Sequence, residues 1–215
     1  MSNLFFHATW VDTSDFVASL HLRCDKICDI IDSGYVLSRQ YLGDKVKDGN
    51  NIFNGNTFVS LTINDEPRHE RFEMSSYDNY IVSSFCLIFS DLKGYYLTSG
   101  LDPDDLSPDD FRYFTRDNNV NRYSNFFDEV QVKDKVDLRD SKLVAIGMPI
   151  SLMKDSGVEE ETISELVDRV QGSLKKNGFD NVFIVDSTNS SFGKTEESLM
   201  ENKVDVKSLK RKSST

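Results

Sequence analysis

Apolar residues along this chain come in short bursts separated by polar stretches, and the spacing within each burst assigns an element. Leu4 to Ala8 (LFFHA) predicts an opening strand. From Ser14 to Ser33 the period changes: Phe16, Leu20, Cys24, Ile27 and Ile31 fall on one helical stripe, and Gly34 stands where a helix takes its left-handed stop. YVLSR follows, then GDKVKDGNNIFNGN, whose Gly and Asn tolerate unusual backbone angles and predict a turn or flap. TFVSLTI predicts a strand, and SSFCLIFS, apolar through its centre, predicts a strand in the middle of a sheet. Thr98 to Asn125 carries no period, and irregular connections of that length are often binding or lid loops.

Beyond that stretch FFDEVQV and KLVAIGMPI predict two more strands. A helix is expected from about Glu159 to Lys176, with Ile163, Leu166, Val167, Val170 and Leu174 on one face and Asn177–Gly178 as its stop. NVFIVD is the last predicted strand. From Ser187 the chain is mostly Ser, Thr, Lys and Glu, which predicts a mobile or weakly helical end. The whole is an α+β chain: one domain over residues 1–186, a polar, basic and flexible tail over 187–215, and no internal repeat.

Composition narrows the function classes. The 215 residues are 38% hydrophobic, enough for one buried core. The formal charge is −11, and it is uneven: the segment from Lys203 to Thr215 carries +4 and the remainder −15. So acidic a body repels polyanions, which leaves the tail as the place for nucleic-acid contacts. No apolar run reaches the roughly 18–20 residues of a bilayer span, and the N-terminus lacks the basic-then-apolar order of a signal peptide. Three cysteines make no disulfide framework. The expectation is a soluble cytoplasmic protein, of the producing cell or of a host.

Chemistry-bearing residues recur on the predicted strands: His7 with Thr9, Ser60 and Thr62, and Glu129 with Gln131. In DEVQV, alternation separates Val130 and Val132 from Glu129 and Gln131. With the valines in the core, the carboxylate faces a cleft or solvent, where it can bind a sugar hydroxyl, stabilise a developing cation or act as a base. His21, Cys24 and Cys28 share a helical face at zinc-like spacing, but Cys24 also lies on the apolar stripe and core burial accounts for it; no metal is expected. No Walker loop, GxGxxG, nucleophile elbow or HExxH occurs.

In this order, FHAT, IIDSGYVLSR, VSLT, a buried strand, a long loop, then FDEVQV with LVAIGMP resembles the ADP-ribosyltransferase fold over roughly residues 4 to 150. The pattern is most similar to small bacterial and phage members, in the diphtheria-toxin-like and DNA-targeting toxin groups. The resemblance implies a split mixed β-sheet with flanking helices, binding NAD between its halves. It implies that Glu129 and His7 are catalytic, with Glu129 holding a ribose 2′-hydroxyl while the bond to nicotinamide breaks and His7 contacting a ribose. Thr9, Tyr35, Arg39, Tyr41, Ser60, Thr62 and Gln131 would complete the NAD site, with Tyr35 or Tyr41 stacked on nicotinamide. Phe111, Arg112, Tyr113, Phe114 and Arg116 would form the substrate loop. Gln131 follows Glu129, whereas in the family the partner acid or glutamine commonly precedes it. The implied activity is mono-ADP-ribosyl transfer to a macromolecule, a protein rather than a nucleic acid, as in toxins and effectors. The alternatives are a non-catalytic acidic protein that blocks a host partner and a degenerate transferase fold that binds NAD or ADP-ribose without turnover.

Overall fold

A computed structural model describes residues 4–9, 15–38, 58–64, 84–97, 112–115, 129–188, 196–206 and 208–209. Helix α1 (Phe16–Ser33) starts two residues later than the sequence suggests. Asp15 is its N-cap, its carboxylate accepting the Ala18 N–H at 3.0 Å. Its end is Gly34 at φ 77°, whose N–H reaches the carbonyls of Ile30 and Ile31. The left-handed turn favours glycine because a Cβ would crowd its own backbone. Helix α2 (Ile150–Asp155) is short, α3 (Glu160–Lys176) carries the expected stripe, and α4 (Glu196–Glu201) lies in the predicted tail.

The strands are β1 (Leu4–Ala8), β2 (Tyr35–Leu37), β3 (Phe58–Asn64), β4 (Cys86–Phe89), β5 (Gly94–Leu97), β6 (Arg112–Thr115), β7 (Glu129–Lys133), β8 (Lys135–Asp137), β9 (Leu143–Met148) and β10 (Phe183–Asp186). Eight form one sheet in the order β10-β9-β4-β1-β3-β7-β5-β6, while β2 and β8 pair as a separate ribbon. The sheet is mixed: β9 and β10, joined through α2 and α3, run parallel, and the remaining neighbours are antiparallel. β4 is wholly buried between β9 and β1, as its unbroken apolar run predicts.

Alternation along the strands builds two apolar layers. Phe5, Leu87, Phe89, Val130 and Ile146 join the stripes of α1 and α3 in the larger one. Leu4, Phe6, Cys86, Ile88, Ala145 and Val185 meet Leu199 of α4 in the smaller. The two long helices are also clamped to each other. Asp32 accepts bonds from Ser173 Oγ (2.7 Å), Asn177 Nδ2 (2.6 Å) and Lys176 Nζ (2.9 Å), and Arg169 pairs with Asp25.

One expectation needs correction. The Thr98–Asn125 stretch is not irregular throughout: Arg112–Thr115 is strand β6, paired with β5 from Gly94↔Thr115 to Leu97↔Arg112. An edge strand carries only a few apolar positions, so it leaves little periodic signal. Toward the end of the chain the described residues 196–206 and 208–209 include the short helix α4, in keeping with a weakly helical end, and they pack on the sheet. Leu199 is 1% exposed, Asn202 and Leu209 are buried, and Val204 N–H donates to the Ile184 carbonyl. Its few apolar residues are spaced to land on the sheet, which outweighs the polar average of the segment.

Candidate functional site

Strands β1, β3 and β7, carrying His7, Ser60 and Thr62, and Glu129 and Gln131, are direct neighbours in the sheet. Their register forms a row: Phe6 stands opposite Thr62, and Thr62 opposite Glu129. Two pairs further along β3 and β7, past Leu61↔Val130, Ser60 stands opposite Gln131. At a strand spacing of about 4.8 Å, the row spans roughly 10 Å from β1 to β7.

The β1–β3 ladder runs from Leu4↔Asn64 to Phe6↔Thr62. Beyond that row β1 continues with β4, through His7↔Leu87 and Ala8↔Cys86, while β3 continues with β7 down to Phe58↔Lys133. The β1–β3 ladder is three pairs long within one continuous sheet, and His7 is the first residue past its last pair. Val130 is fully buried and Val132 packs against the same core, as the alternation of DEVQV requires. The pleat also separates two of the expected partners. His7, half-buried, alternates with Phe6, whereas Glu129 stands in the row of Phe6, so strict alternation assigns His7 and Glu129 to opposite faces.

Next to His7 lies a buried polar cluster. Thr9 Oγ1 donates to the Phe85 carbonyl at 2.8 Å and Thr9 N–H to the same oxygen at 2.9 Å, so its hydroxyl ties β1 to the start of β4. The guanidinium of Arg23, 8% exposed, donates to Ser19 Oγ (2.8 Å), Ser84 Oγ (2.9 Å) and the Thr9 carbonyl (3.4 Å). Arg23 was missed, although its place gives a signal: it lies three residues after Leu20 and four before Ile27, on the stripe itself.

The other expected site residues are scattered. Tyr35 lies in the β2–β8 ribbon with Lys135 Nζ over its ring at 4.1 Å, so one ring face is already taken. Arg112, Tyr113 and Phe114 belong to β6, two strands from β7 at the sheet edge, rather than to a loop. Arg39, Tyr41, Phe111 and Arg116 lie outside the described residues. Tyr95, tilted against Phe5 with ring centroids 5.3 Å apart, has its phenol pushed up to about 12 by burial and by Asp91, so it is neutral.

On α1, Cys24 is buried and Cys28 half-buried, both as free thiols. A hydrogen bond between the two thiols raises the pKa of Cys24, with burial adding to the rise, and lowers that of Cys28. Among the described residues no group of three or more His, Cys, Asp or Glu could hold a metal ion, and no helix is long and apolar enough to cross a membrane.

Compared with protein families, curated proteins and solved structures, the chain gives no match.

Proposed function

We propose that this protein is an NAD-dependent mono-ADP-ribosyltransferase, built on an ADP-ribosyltransferase-like split sheet and acting on a macromolecular acceptor. The observation that supports it is the strand order: His7, Ser60 with Thr62, and Glu129 follow one another across β1, β3 and β7, and the β1–β3 ladder ends at Phe6, the residue before His7. An imidazole, hydroxyls and a carboxylate are the groups that bind a ribose. In this reading the glycosidic bond to nicotinamide breaks and its electron pair neutralises the pyridinium nitrogen. The acceptor then bonds to the ribose carbon and gives up a proton. Glu129 holds the 2′-hydroxyl and stabilises the positive charge that develops on the sugar. His7 holds a ribose of the substrate, and Ser60 and Thr62 support the nicotinamide side. A net charge of −15 on the body favours a protein acceptor over a nucleic acid.

A second reading is favoured by the alternation of His7 against the Glu129 row: a fold that binds NAD or ADP-ribose without turning it over. Calorimetric titration with NAD tests what the two readings share. Wild-type protein is expected to bind one NAD, and His7→Ala to weaken binding at least tenfold. No binding by a folded wild-type protein contradicts both readings and leaves an acidic binding protein in their place.

A further inference from the structure

A groove of about 430 Å³ opens at the end of the sheet opposite His7. Leu143, which lines it, shares a register row with Phe89 and Phe5, while His7 lies in the row of Leu87 and Ile146. The groove is therefore independent of the proposed NAD site. Its volume is that of a small-molecule site, and Phe179, Val182, Phe183 and Leu199 give it apolar walls.

The charges around this groove run against the composition of the chain. Asp and Glu outnumber Lys and Arg by 36 to 25, yet among the described residues the groove is lined by Arg139 and Lys142 and by no acid. A third cation, Lys203, holds its Nζ 5.3 Å from the centre of the Phe183 ring. These groups are set in place before any ligand arrives. Asp137 Oδ1 accepts the N–H groups of Arg139 (2.9 Å) and Asp140 (3.1 Å), closing the turn between β8 and β9. The Arg139 guanidinium lies over the Phe179 ring at 4.9 Å and donates through Nη2 to the Asn177 carbonyl at 2.6 Å. A guanidinium has five donors, so that bond leaves capacity for an anion. Lys142 is held at φ 51°, an uncommon conformation for a residue with a side chain.

We infer that this groove binds a small organic anion with a flat apolar body, its acid group between Arg139 and Lys142 and its body against Phe179 and Phe183. The acid gains charge-assisted bonds, and the body buries apolar surface that water otherwise covers.

Naphthalene-2-sulfonate is the probe, titrated into the full-length protein and followed by calorimetry and by amide shifts in heteronuclear NMR. Saturable one-site binding is expected, with shifts centred on residues 138–144 and 178–183. Arg139→Gln and Lys142→Gln should each weaken it about tenfold, Lys154→Gln on α2 should leave it unchanged, and the neutral 2-naphthalenemethanol should bind at least tenfold more weakly than the sulfonate. Lys142→Gln keeps the test open if Arg139→Gln fails to fold. No saturation at millimolar probe, equal binding by the folded variants, or shifts centred elsewhere would overturn the inference.

Discussion

Arg23 occupies a stripe position on α1 where an apolar residue would be the ordinary choice, and its guanidinium joins α1 to the ends of β1 and β4. Replacing it by Met keeps the length of the side chain and removes every donor, leaving Ser19, Ser84 and the Thr9 carbonyl short of a partner in a buried setting. Arg23→Met should cost about 1–3 kcal/mol, read as a lower denaturant midpoint with unchanged slope; an unchanged midpoint would remove the cluster from the account. Asp32 gives a pH signature. Hydrogen bonds from Lys176 first, then Ser173 and Asn177, lower its pKa below the ordinary carboxylate value. Its folded pKa lies below its unfolded one, so its stabilising contribution is present above the unfolded value of about 4 and fades as pH falls through the folded value. The side chain is 42% exposed, so the effect is small. Asp32→Asn should reduce the loss of stability between about pH 4 and 2, measured by urea unfolding across that range. An identical pH slope in the variant would contradict the clamp.

At the scale of elements, those with a sustained period were legible from the residues alone. The stripes of α1 and α3, and the apolar runs of β4, β9 and β10, each repeat a single environment along the element. β2, β5, β6 and β8 are short and lie in the ribbon or near the sheet edge, so few of their positions report a face. Pairing was less legible still. The register of β3, which sets Thr62 between Phe6 and Glu129, depends on partners distant in sequence, and no local pattern encodes it. Ile27 lies fully buried on α1 beneath the larger layer. Ile27→Ala should cost about 2–5 kcal/mol through lost burial and the cavity left behind, measured by denaturant unfolding; a cost under about 1 kcal/mol would mean that α1 does not pack as described. α4 and the residues after it supply Leu199, Leu209 and the bond from Val204 to Ile184. Ending the chain at residue 195 should therefore lower the melting temperature by several degrees. A flexible tail would leave it unchanged.

At the scale of the molecule, the fold makes the three strands that bear these polar groups direct neighbours in one sheet, and it sets a cationic groove at the far end of that sheet. The trio His7, Ser60 with Thr62, and Glu129 was legible as a set of residues, because each sits in a strand-like burst. Their relative faces were not, because a face follows from register. That register assigns His7 and Glu129 to opposite sides if the pleat continues unbroken past the last β1–β3 pair. The decisive measurement is nicotinamide release from NAD by purified wild-type protein beside Glu129→Gln and His7→Ala, each shown to be folded by circular dichroism. The account predicts release by the wild type that Glu129→Gln reduces at least a hundredfold and His7→Ala at least tenfold. Release that survives Glu129→Gln, or its absence from wild-type protein that binds NAD, would contradict the transferase.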